Sequence, residues 1–277
     1  MYTSRELQII AAKEYSIEDT RKDMTRMVDF FLNIPDQEMY IRTVFEKTRG
    51  LPMSLAREQK VFFVPHDFDY LDIPEEFRVE ALGMVRYGRI IYAGRFVYPV
   101  FDVRCQVMGF CGWDKFVEPK YLDSKNYGYK AKQASLYGME KMEEYYNSNK
   151  PVYVVEGIVC CLYLRSIGLQ ALALLGSSIT PYVREILNRF GRRLIIIPDN
   201  DIVGKEAFKI DGLPAGEHLV KQAMKELPKA RVIQSTVDKD VDDTRRHSDI
   251  EMTFVNELKM VAVNPFMKFK TIRVRKV

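Results

Sequence analysis

Five acidic side chains lie in three short polar stretches, and these stretches follow apolar runs that end at Val155, Ile197 and Ile233. Grouped carboxylates repel one another and are costly to bury unless a cation neutralises them. Oxygen ligands without histidine or cysteine favour Mg²⁺ or Mn²⁺ over zinc. The pattern therefore predicts a site for a hard divalent cation. The candidate ligands are Glu156, Asp199, Asp201, Asp240 and Asp242.

The spacing of these acids supports a common site. Asp199 and Asp201 are two residues apart, so on an extended backbone their side chains project to the same side. A single aspartate after a strand usually caps a helix or solubilises a loop, and that reading remains the alternative for each acid taken alone. The ordered recurrence of acids after successive apolar runs favours the cation site.

Basic side chains are concentrated in two other segments. Residues 119–132 carry four lysines against the single acid Asp123, with three tyrosines among them, and residues 259–277 carry six basic residues and no acid. Lysines attract phosphate, and tyrosines can stack on the bases of a single strand. The first segment indicates a nucleic-acid surface, or else an ordinary solvated loop. The second adds sequence-independent affinity or is a plain solvated terminus.

The composition excludes several classes of protein. The chain is 47% hydrophobic with a formal charge of +4, and no apolar run approaches the ~18 residues of a membrane-spanning helix. Its four cysteines and three histidines have neither the density of a disulfide scaffold nor zinc-site spacing, so we expect no zinc site. The N-terminus lacks a signal-peptide pattern, and we expect a cytoplasmic protein.

Strands alternating with helices must position the acids after Pro151. Continuous apolar runs predict buried strands over 152–155, 171–175 and 194–197, and Ala-Arg-Val-Ile at 230–233 is the candidate for a fourth strand. Helices are predicted over 158–167, over 181–190, after Gly204, and over 216–226. This alternation is typical of a parallel sheet covered on both faces, in which functional groups gather beyond the carboxyl ends of the strands.

The first half of the chain has a different pattern. A capping box at Ser16–Asp19 begins a helical segment that ends near Gly50. Short β-rich stretches then predict an antiparallel sheet, with strands over 61–64, 89–92, 95–98 and 106–110, followed by a loop over 113–135. The predicted fold class is α/β, with an α+β N-terminal part before a mainly parallel sheet flanked by helices. The expected domains are 1–60 (helical), 61–148 (mixed α+β, basic), 149–250 (catalytic) and 251–277 (short helix and basic tail).

Several motifs resemble a known family. The segments 154–157 (Val-Val-Glu-Gly), 175–180 (Leu-Gly-Ser-Ser-Ile-Thr) and 199–204 (Asp-Asn-Asp-Ile-Val-Gly) resemble the Toprim domain of bacterial-type primases, topoisomerases and some nucleases. The upstream segments 95–102, 107–112, 119–124 and 136–138 are similar, in order, to the signature of the DnaG-type primase catalytic core. The later Asp240-Val-Asp-Asp243 resembles an acidic element of the same primases. The resemblance covers about residues 40–250.

The resemblance assigns roles to particular residues. It implies that Glu156, Asp199 and Asp201 are catalytic, and that these three together with Asp240 and Asp242 hold Mg²⁺ or Mn²⁺. It also implies a basic surface for template and nucleotide phosphates, made of Lys120, Tyr121 and Lys132.

The chain departs from the family pattern at three positions. Trp113 stands where an arginine is expected, with Lys115 as the nearest basic substitute. Glu58 also replaces an arginine, and Cys160 replaces an acid four residues after Glu156. These departures favour a catalytically degenerate core.

The resemblance implies a DNA primase, a nucleotidyltransferase that makes short RNA primers from ribonucleoside triphosphates on single-stranded DNA. The alternatives are a Toprim nuclease and a degenerate core that binds single-stranded DNA or a nucleotide within a replication complex. The expected chain is a bare catalytic core without zinc-binding and helicase-binding domains, typical of a phage or mobile-element protein in the host cytoplasm. The implied partners are a replicative helicase and a separate zinc-binding module, with no membrane.

Overall fold

A computed structural model describes most of the chain as two compact units, Met1–Ala131 and Lys132–Val277. The described residues are 17–77, 84–86, 89–114, 116–124, 136–201, 209–210, 213–235, 239–245, 255–260 and 269–272. No helix among them is both long and apolar enough to cross a membrane.

Helices open the described part of the first unit. They are α1 (Ile17–Leu32), α2 (Gln37–Arg42), which continues as a π-helical stretch Thr43–Thr48, and α3 (Met53–Glu58). Met24, Met27, Val28 and Phe31 recur at helical spacing on α1, and all four are fully buried. The helical run stops at Gly50, whose φ of 57° lies in the left-handed region that terminates helices. The helix predicted from the capping box is therefore confirmed.

An antiparallel sheet follows in the first unit. The strands are β1 (Phe62–Phe63), β2 (Val85–Arg86), β3 (Arg89–Ile90), β4 (Phe96–Phe101), β5 (Val107–Trp113) and β6 (Tyr121–Asp123). Four of them form a sheet in the order β1-β4-β5-β6, and β2 pairs with β3 as a separate hairpin. The loop predicted over 113–135 is wrong at β6, which pairs with β5 from Cys111 to Trp113. β6 forms because β5 has an edge that is not paired with β4, and the residues of β6 alone do not indicate that such an edge is available.

The second unit contains the alternating part of the chain. Its elements are α4 (Met142–Asn147), β7 (Val152–Val155), α5 (Ile158–Ser166), β8 (Gln170–Ala173), α6 (Pro181–Asn188), β9 (Leu194–Ile197), β10 (Lys209–Ile210), β11 (Leu213–Pro214), α7 (Ala215–Glu226), β12 (Arg231–Ser235), α8 (Val241–Arg245), α9 (255–260) and β13 (Phe269–Ile272). The main sheet has the order β13-β12-β9-β7-β8, and every neighbouring pair is parallel. The predicted fold class is confirmed.

Among the described elements of the second unit, the helices α4 and α8 and the strands β10, β11 and β13 were not predicted. β13 extends the parallel sheet beside β12, although the segment was expected to be part of a basic tail. β10 and β11 form a two-stranded antiparallel hairpin immediately before α7. The helix predicted after Gly204 would begin outside the described residues, since 202–208 are not described. Where the description resumes, the chain forms β10 and β11 instead of a helix.

The boundary between the units lies earlier than the expected division at residue 148. Tyr137 forms an antiparallel bridge with Ala173, and both backbone groups of each residue take part. Met139, Met142 and Tyr145 are buried in the same apolar core as β7 and β8. Residues 137–145 therefore pack with the parallel sheet.

A buried ion pair joins the start of the second unit to its sheet. Arg165 on α5 donates to Glu140 Oε1 at 3.0 Å, and the two side chains are only 6% and 11% exposed. The same guanidinium donates to the carbonyl oxygens of Ala171 and Gly138, at 3.0 and 3.4 Å. Gly138 has φ 98°, and a Cβ atom there would lie 2.2 Å from the guanidinium. One arginine thus ties together a turn, a helix and a strand.

Candidate active site

The five candidate acids follow three adjacent strands of the parallel sheet. In the strand order β12-β9-β7, Glu156 comes directly after β7, Asp199 and Asp201 follow β9, and the loop with Asp240 follows β12. Neighbouring parallel strands present their carboxyl ends at the same edge of a sheet. The predicted placement directly after a strand is confirmed for Glu156 and for the Asp199–Asp201 loop, whereas Asp240 and Asp242 lie beyond β12 at the start of α8.

Glu156 is held by groups from two neighbouring loops. Its side chain is 8% exposed. Oε1 accepts the backbone N–H of Asp199 at 3.0 Å, and Oε2 accepts the hydroxyl of Ser177. The carboxylate therefore links the loop after β8 to the loop after β9.

The Asp199–Asp201 loop is fixed on both sides. Asp201 Oδ2 accepts the backbone N–H of Gly216, in the first turn of α7, at 2.7 Å. The carbonyl oxygen of Asp199 accepts the side chain of Gln234 on β12 at 3.1 Å. The N–H of Asn200 donates to the carbonyl oxygen of Lys239, which ties this loop to the third acidic stretch.

Asp240 and Asp242 lie where α8 begins. Asp240 Oδ1 accepts the N–H of Asp243 at 2.8 Å, the contact of a helix N-cap. Asp242 is 5% exposed, so its carboxylate is nearly enclosed by protein. The capping explanation is therefore observed for Asp240, but it does not account for the burial of Asp242.

The acids raise one another's pKa values. Burial raises the pKa of Asp199 well above its ordinary value, and the charges of Glu156 and Asp240 raise it further. Burial likewise raises the pKa of Glu156, against the hydrogen bonds from Ser177 and Asp199, and the charge of Asp201 adds to the increase. Burial is also the main cause of the raised pKa of Asp240. The pattern is one of repelling carboxylates in a partly desolvated place.

The donor set fits a hard cation. Its members are carboxylate oxygens, and no histidine or cysteine is required, as Mg²⁺ and Mn²⁺ prefer. Within the described ranges, no three His, Cys, Asp or Glu side chains converge on one point as ligands. Mg²⁺ is usually held by one or two carboxylates together with substrate phosphates, so a complete protein cage is not required. Donor chemistry and mutual repulsion, rather than a formed cage, support the cation.

The raised pKa values predict how stability depends on pH. Below the unfolded-state pKa of Asp199, its carboxyl is protonated in both the folded and the unfolded protein, and it does not repel the neighbouring carboxylates. As pH rises through the raised folded-state pKa, the folded protein loses stability. We expect the thermal midpoint of the metal-free protein to fall as pH rises above the ordinary pKa range of aspartate, and the fall to be smaller in Asp199→Asn. Calorimetry in a chelating buffer measures both slopes. Equal slopes for the two proteins would contradict the coupling described above.

The three departures from the family pattern have different surroundings. Cys160 is buried on α5, where desolvation and the charges of Asp240 and Asp199 raise the pKa of its thiol. Trp113 is buried in β5, and the Arg49 guanidinium lies 4.4 Å from the centroid of its ring. Glu58 is exposed at the end of α3. Cys160 therefore lies within the electrostatic reach of Asp199 and Asp240.

The predicted basic surface is partly described. Lys120 is exposed, and Tyr121 on β6 is 45% exposed. Lys115 and Lys132 lie outside the described residues. Buried Arg95 donates to the carbonyl oxygens of Pro119 and Lys120, at 3.0 and 3.2 Å, and so fixes the backbone beneath the exposed side chains.

Sequence reasoning missed an aromatic residue beside this surface. Phe116 is 88% exposed, and its N–H donates to the Asp114 carboxylate at 2.7 Å. The N–H of Asp114 donates in turn to the carbonyl oxygen of Lys120 at 2.9 Å. The loop thus holds Phe116 beside the predicted surface. The sequence signal that could have identified Phe116 is an aromatic residue among charged neighbours in a predicted loop.

Two contacts of the acids were also missed. Ser177 lies inside the segment 175–180 that resembles the Toprim domain, but sequence reasoning assigned it no role. Gly216 was predicted only as the start of a helix. Only the folded chain shows that Gly216 contacts Asp201.

Sequence comparisons relate the chain to bacterial DNA primases, although no protein-family model matches it. It is 26% identical to the DNA primase of Aquifex aeolicus over 218 residues, which cover 71% of this chain and 43% of that protein. It is 28% identical to the DNA primase of Legionella pneumophila over 172 residues, which cover 58% of this chain and 30% of that protein. The chain thus spans less than half the length of these curated relatives.

Solved structures with the same fold are primase catalytic domains. A DnaG primase catalytic domain bound to single-stranded DNA matches with a TM-score of 0.69 and 22% identity, over 88% of this chain and 81% of that one. The RNA polymerase domain of Mycobacterium tuberculosis DnaG matches with a TM-score of 0.68 and 18% identity, over 90% of this chain and 85% of that one. In sequence and in fold, the chain is related to the catalytic cores of DnaG-type DNA primases.

Proposed function

We propose that this chain is the catalytic core of a DNA primase, which joins ribonucleotides into short primers on a single-stranded DNA template. One observation carries the proposal: five carboxylates follow three adjacent parallel strands in the fold of the DnaG catalytic core. Phosphoryl transfer requires that the triphosphate charge be neutralised and the attacking hydroxyl be placed in line with the phosphorus. A divalent cation, Mg²⁺ or Mn²⁺, would supply that neutralisation when bound.

The proposal gives the acids separate tasks. Asp199, Asp201, Asp240 and Asp242 would hold the cation, and the cation would neutralise the charge of the nucleotide phosphates. Glu156 would be a further ligand or the base that accepts the proton of the 3′-hydroxyl. Its raised pKa suits the second task, because a general base works best when its pKa approaches the operating pH.

The proposal is tested by a template-directed assay with all four ribonucleoside triphosphates, Mg²⁺ and single-stranded DNA, in which product length is measured. Primer-length RNA that depends on the template supports the proposal. The assay is repeated with a candidate replicative helicase and with a separate zinc-binding module, the two partners expected from the resemblance; an Aquifex aeolicus primase structure contains zinc-binding and RNA polymerase domains together. Absence of RNA under all these conditions would refute the function.

The template surface is proposed to contain Lys120, Tyr121 and Phe116. The first contributes a charge for phosphate, and the two rings supply faces on which bases stack. Phe116 lies in the loop before β6 and Tyr121 is the first residue of β6. The backbone between them is hydrogen-bonded by Arg95 and Asp114, so little ordering is needed on binding. Lys115 and Lys132 remain proposed members of this surface.

Substitutions on this surface should weaken binding of single-stranded DNA. We expect Phe116→Ala and Tyr121→Ala each to cost about 1–3 kcal/mol, since that is the usual contribution of one stacked base. Lys120→Ala should reduce the slope of log K against log salt by about 0.7. Fluorescence anisotropy at several salt concentrations measures both effects. Leu71→Ala, which removes another exposed apolar side chain of the same unit, is the control; an equal effect of Phe116→Ala and Leu71→Ala would contradict the stacking role.

Two other functions remain outcomes of the same experiments. A Toprim nuclease would use the same acids to hydrolyse a phosphodiester, and labelled single-stranded DNA with Mg²⁺ and no nucleotides would reveal cutting. A degenerate core would bind single-stranded DNA without making RNA, and Cys160, beside the acids, is the feature that favours it. As a primase the protein would work in the cytoplasm, which is the host cytoplasm if a phage encodes it.

A further inference from the structure

Helix α7 contacts both loops that carry or hold the candidate catalytic acids. In its first turn, the N–H of Gly216 donates to Asp201 Oδ2 at 2.7 Å. In its second turn, Gln222 makes two hydrogen bonds to the backbone of Ile179: Nε2 donates to the carbonyl oxygen, and Oε1 accepts the N–H, each at 2.8 Å. Ile179 belongs to the loop after β8. The helix therefore connects the two loops directly.

The loop after β8 also contacts Glu156. The hydroxyl of Ser177 donates to Glu156 Oε2, and the carbonyl oxygen of Ser177 lies 3.4 Å from Nδ1 of His218. His218 and Gln222 are four residues apart and therefore lie on one side of α7. The loop is held at Ser177 and at Ile179 by two successive turns of the same helix.

Gly216 is required at its position because there is no space for a side chain. An ideal Cβ atom at residue 216 would lie 2.0 Å from the carbonyl oxygen of Asp199 and 3.5 Å from Asp201 Oδ2. A backbone oxygen cannot rotate away as a side chain can. Any residue larger than glycine must therefore move either α7 or the Asp199–Asp201 loop.

We propose that α7 is the positioning element of the carboxylate site, with Gly216 and Gln222 as positioning residues that set where Asp201 and Glu156 lie relative to each other. The expected loss of primer synthesis rests on the proposed function. The expected loss of cation binding does not. Residues that orient metal ligands from outside the ligand set commonly change metal affinity or activity by about 10–100-fold when replaced.

The experiment compares Gly216→Ala and Gln222→Ala with Lys221→Ala in the full chain. Lys221 is the matched control, since it is exposed on the same helix and its ion pair within the described residues is with Glu217, one turn away. Mn²⁺ binding is measured by electron paramagnetic resonance of the free ion. Primer synthesis gives kcat and KM separately, and anisotropy gives the affinity for single-stranded DNA.

We expect Gly216→Ala to weaken Mn²⁺ binding by about tenfold or more and to lower kcat, with unchanged affinity for single-stranded DNA. Gln222→Ala should act in the same direction to a smaller extent, and Lys221→Ala should match the wild type. A merely structural role would change the unfolding midpoint without this combination of lost Mn²⁺ affinity and lower kcat. If Gly216→Ala does not fold, Gln222→Ala decides the question.

The inference is overturned if the folded variants bind Mn²⁺ as the wild type does. It is also overturned if the wild type binds no Mn²⁺, because the carboxylates are then not an ion site. A different result separates the two proposals. If Mn²⁺ affinity falls in the variants but the wild type makes no RNA, the positioning role stands and the primase function does not.

Discussion

Replacing Asp199 and Asp201 together by asparagine should abolish primer synthesis while the protein stays folded. We expect a loss on the order of 10³-fold or more, about 4 kcal/mol of transition-state stabilisation, because both candidate cation ligands lose their charge. The metal-free variant should be at least as stable as the wild type, since the substitution removes a buried repelling charge at Asp199. Single-stranded DNA should bind as well or more tightly, because fewer carboxylates repel phosphate. Primer yield, thermal midpoint and DNA affinity are measured side by side.

The matched control removes two carboxylates away from the site. Glu143 and Glu185 are exposed on α4 and α6 of the same unit, so Glu143→Gln with Glu185→Gln changes the net charge equally. This control should retain primer synthesis. Unchanged primer yield in the Asp199→Asn, Asp201→Asn protein would show that the acidic site is wrongly assigned.

Replacing Arg165 by methionine should destabilise the second unit by about 3–5 kcal/mol, the usual cost of removing one partner from a buried ion pair. The variant leaves Glu140 charged and nearly buried, and it also removes the donors to the carbonyl oxygens of Ala171 and Gly138. Urea unfolding measures the change in free energy. A loss below about 1 kcal/mol would place this pair with ordinary surface ion pairs.

A second substitution separates the lost charge pair from the lost packing. Adding Glu140→Leu to Arg165→Met removes the uncompensated carboxylate, and a buried pair replaced by apolar groups is often tolerated. The double variant should therefore recover part of the stability. If it is less stable than Arg165→Met alone, burial of the Glu140 charge is not the source of the loss.

Much of the parallel sheet was predictable because its strands are buried on both faces. The runs that predicted β7, β8 and β9 are continuous apolar segments, which are typical of strands buried on both faces, whereas the segment that predicted β12 contains Arg231. The placement of Glu156, Asp199 and Asp201 followed from the strand ends alone. In contrast, β13 reads Phe-Lys-Thr-Ile, and its place at the sheet edge depends on pairing with β12, which is distant in the sequence.

The contacts that hold the acids were not predictable. The N–H that Asp201 accepts belongs to Gly216, which follows the β10–β11 hairpin and lies 15 residues further along the chain. Likewise, nothing in the sequence indicates that the Ser177 hydroxyl donates to Glu156. These contacts join loops that only the assembled sheet brings together. Sequence identified the charged groups, and tertiary structure determines their orientation.

The hydrogen bond between Asp201 and Gly216 also has a consequence for protein engineering. Asp201 and Gly216 are 15 residues apart in the sequence, and their hydrogen bond closes the segment between them into a loop. The entropy cost of closing such a loop rises slowly, by about 0.6 kcal/mol for each doubling of length. An insertion between Asp201 and Gly216 should therefore add little to the entropy cost of closing the loop. We expect a fluorescent reporter inserted there to report on the carboxylate site without displacing Asp201.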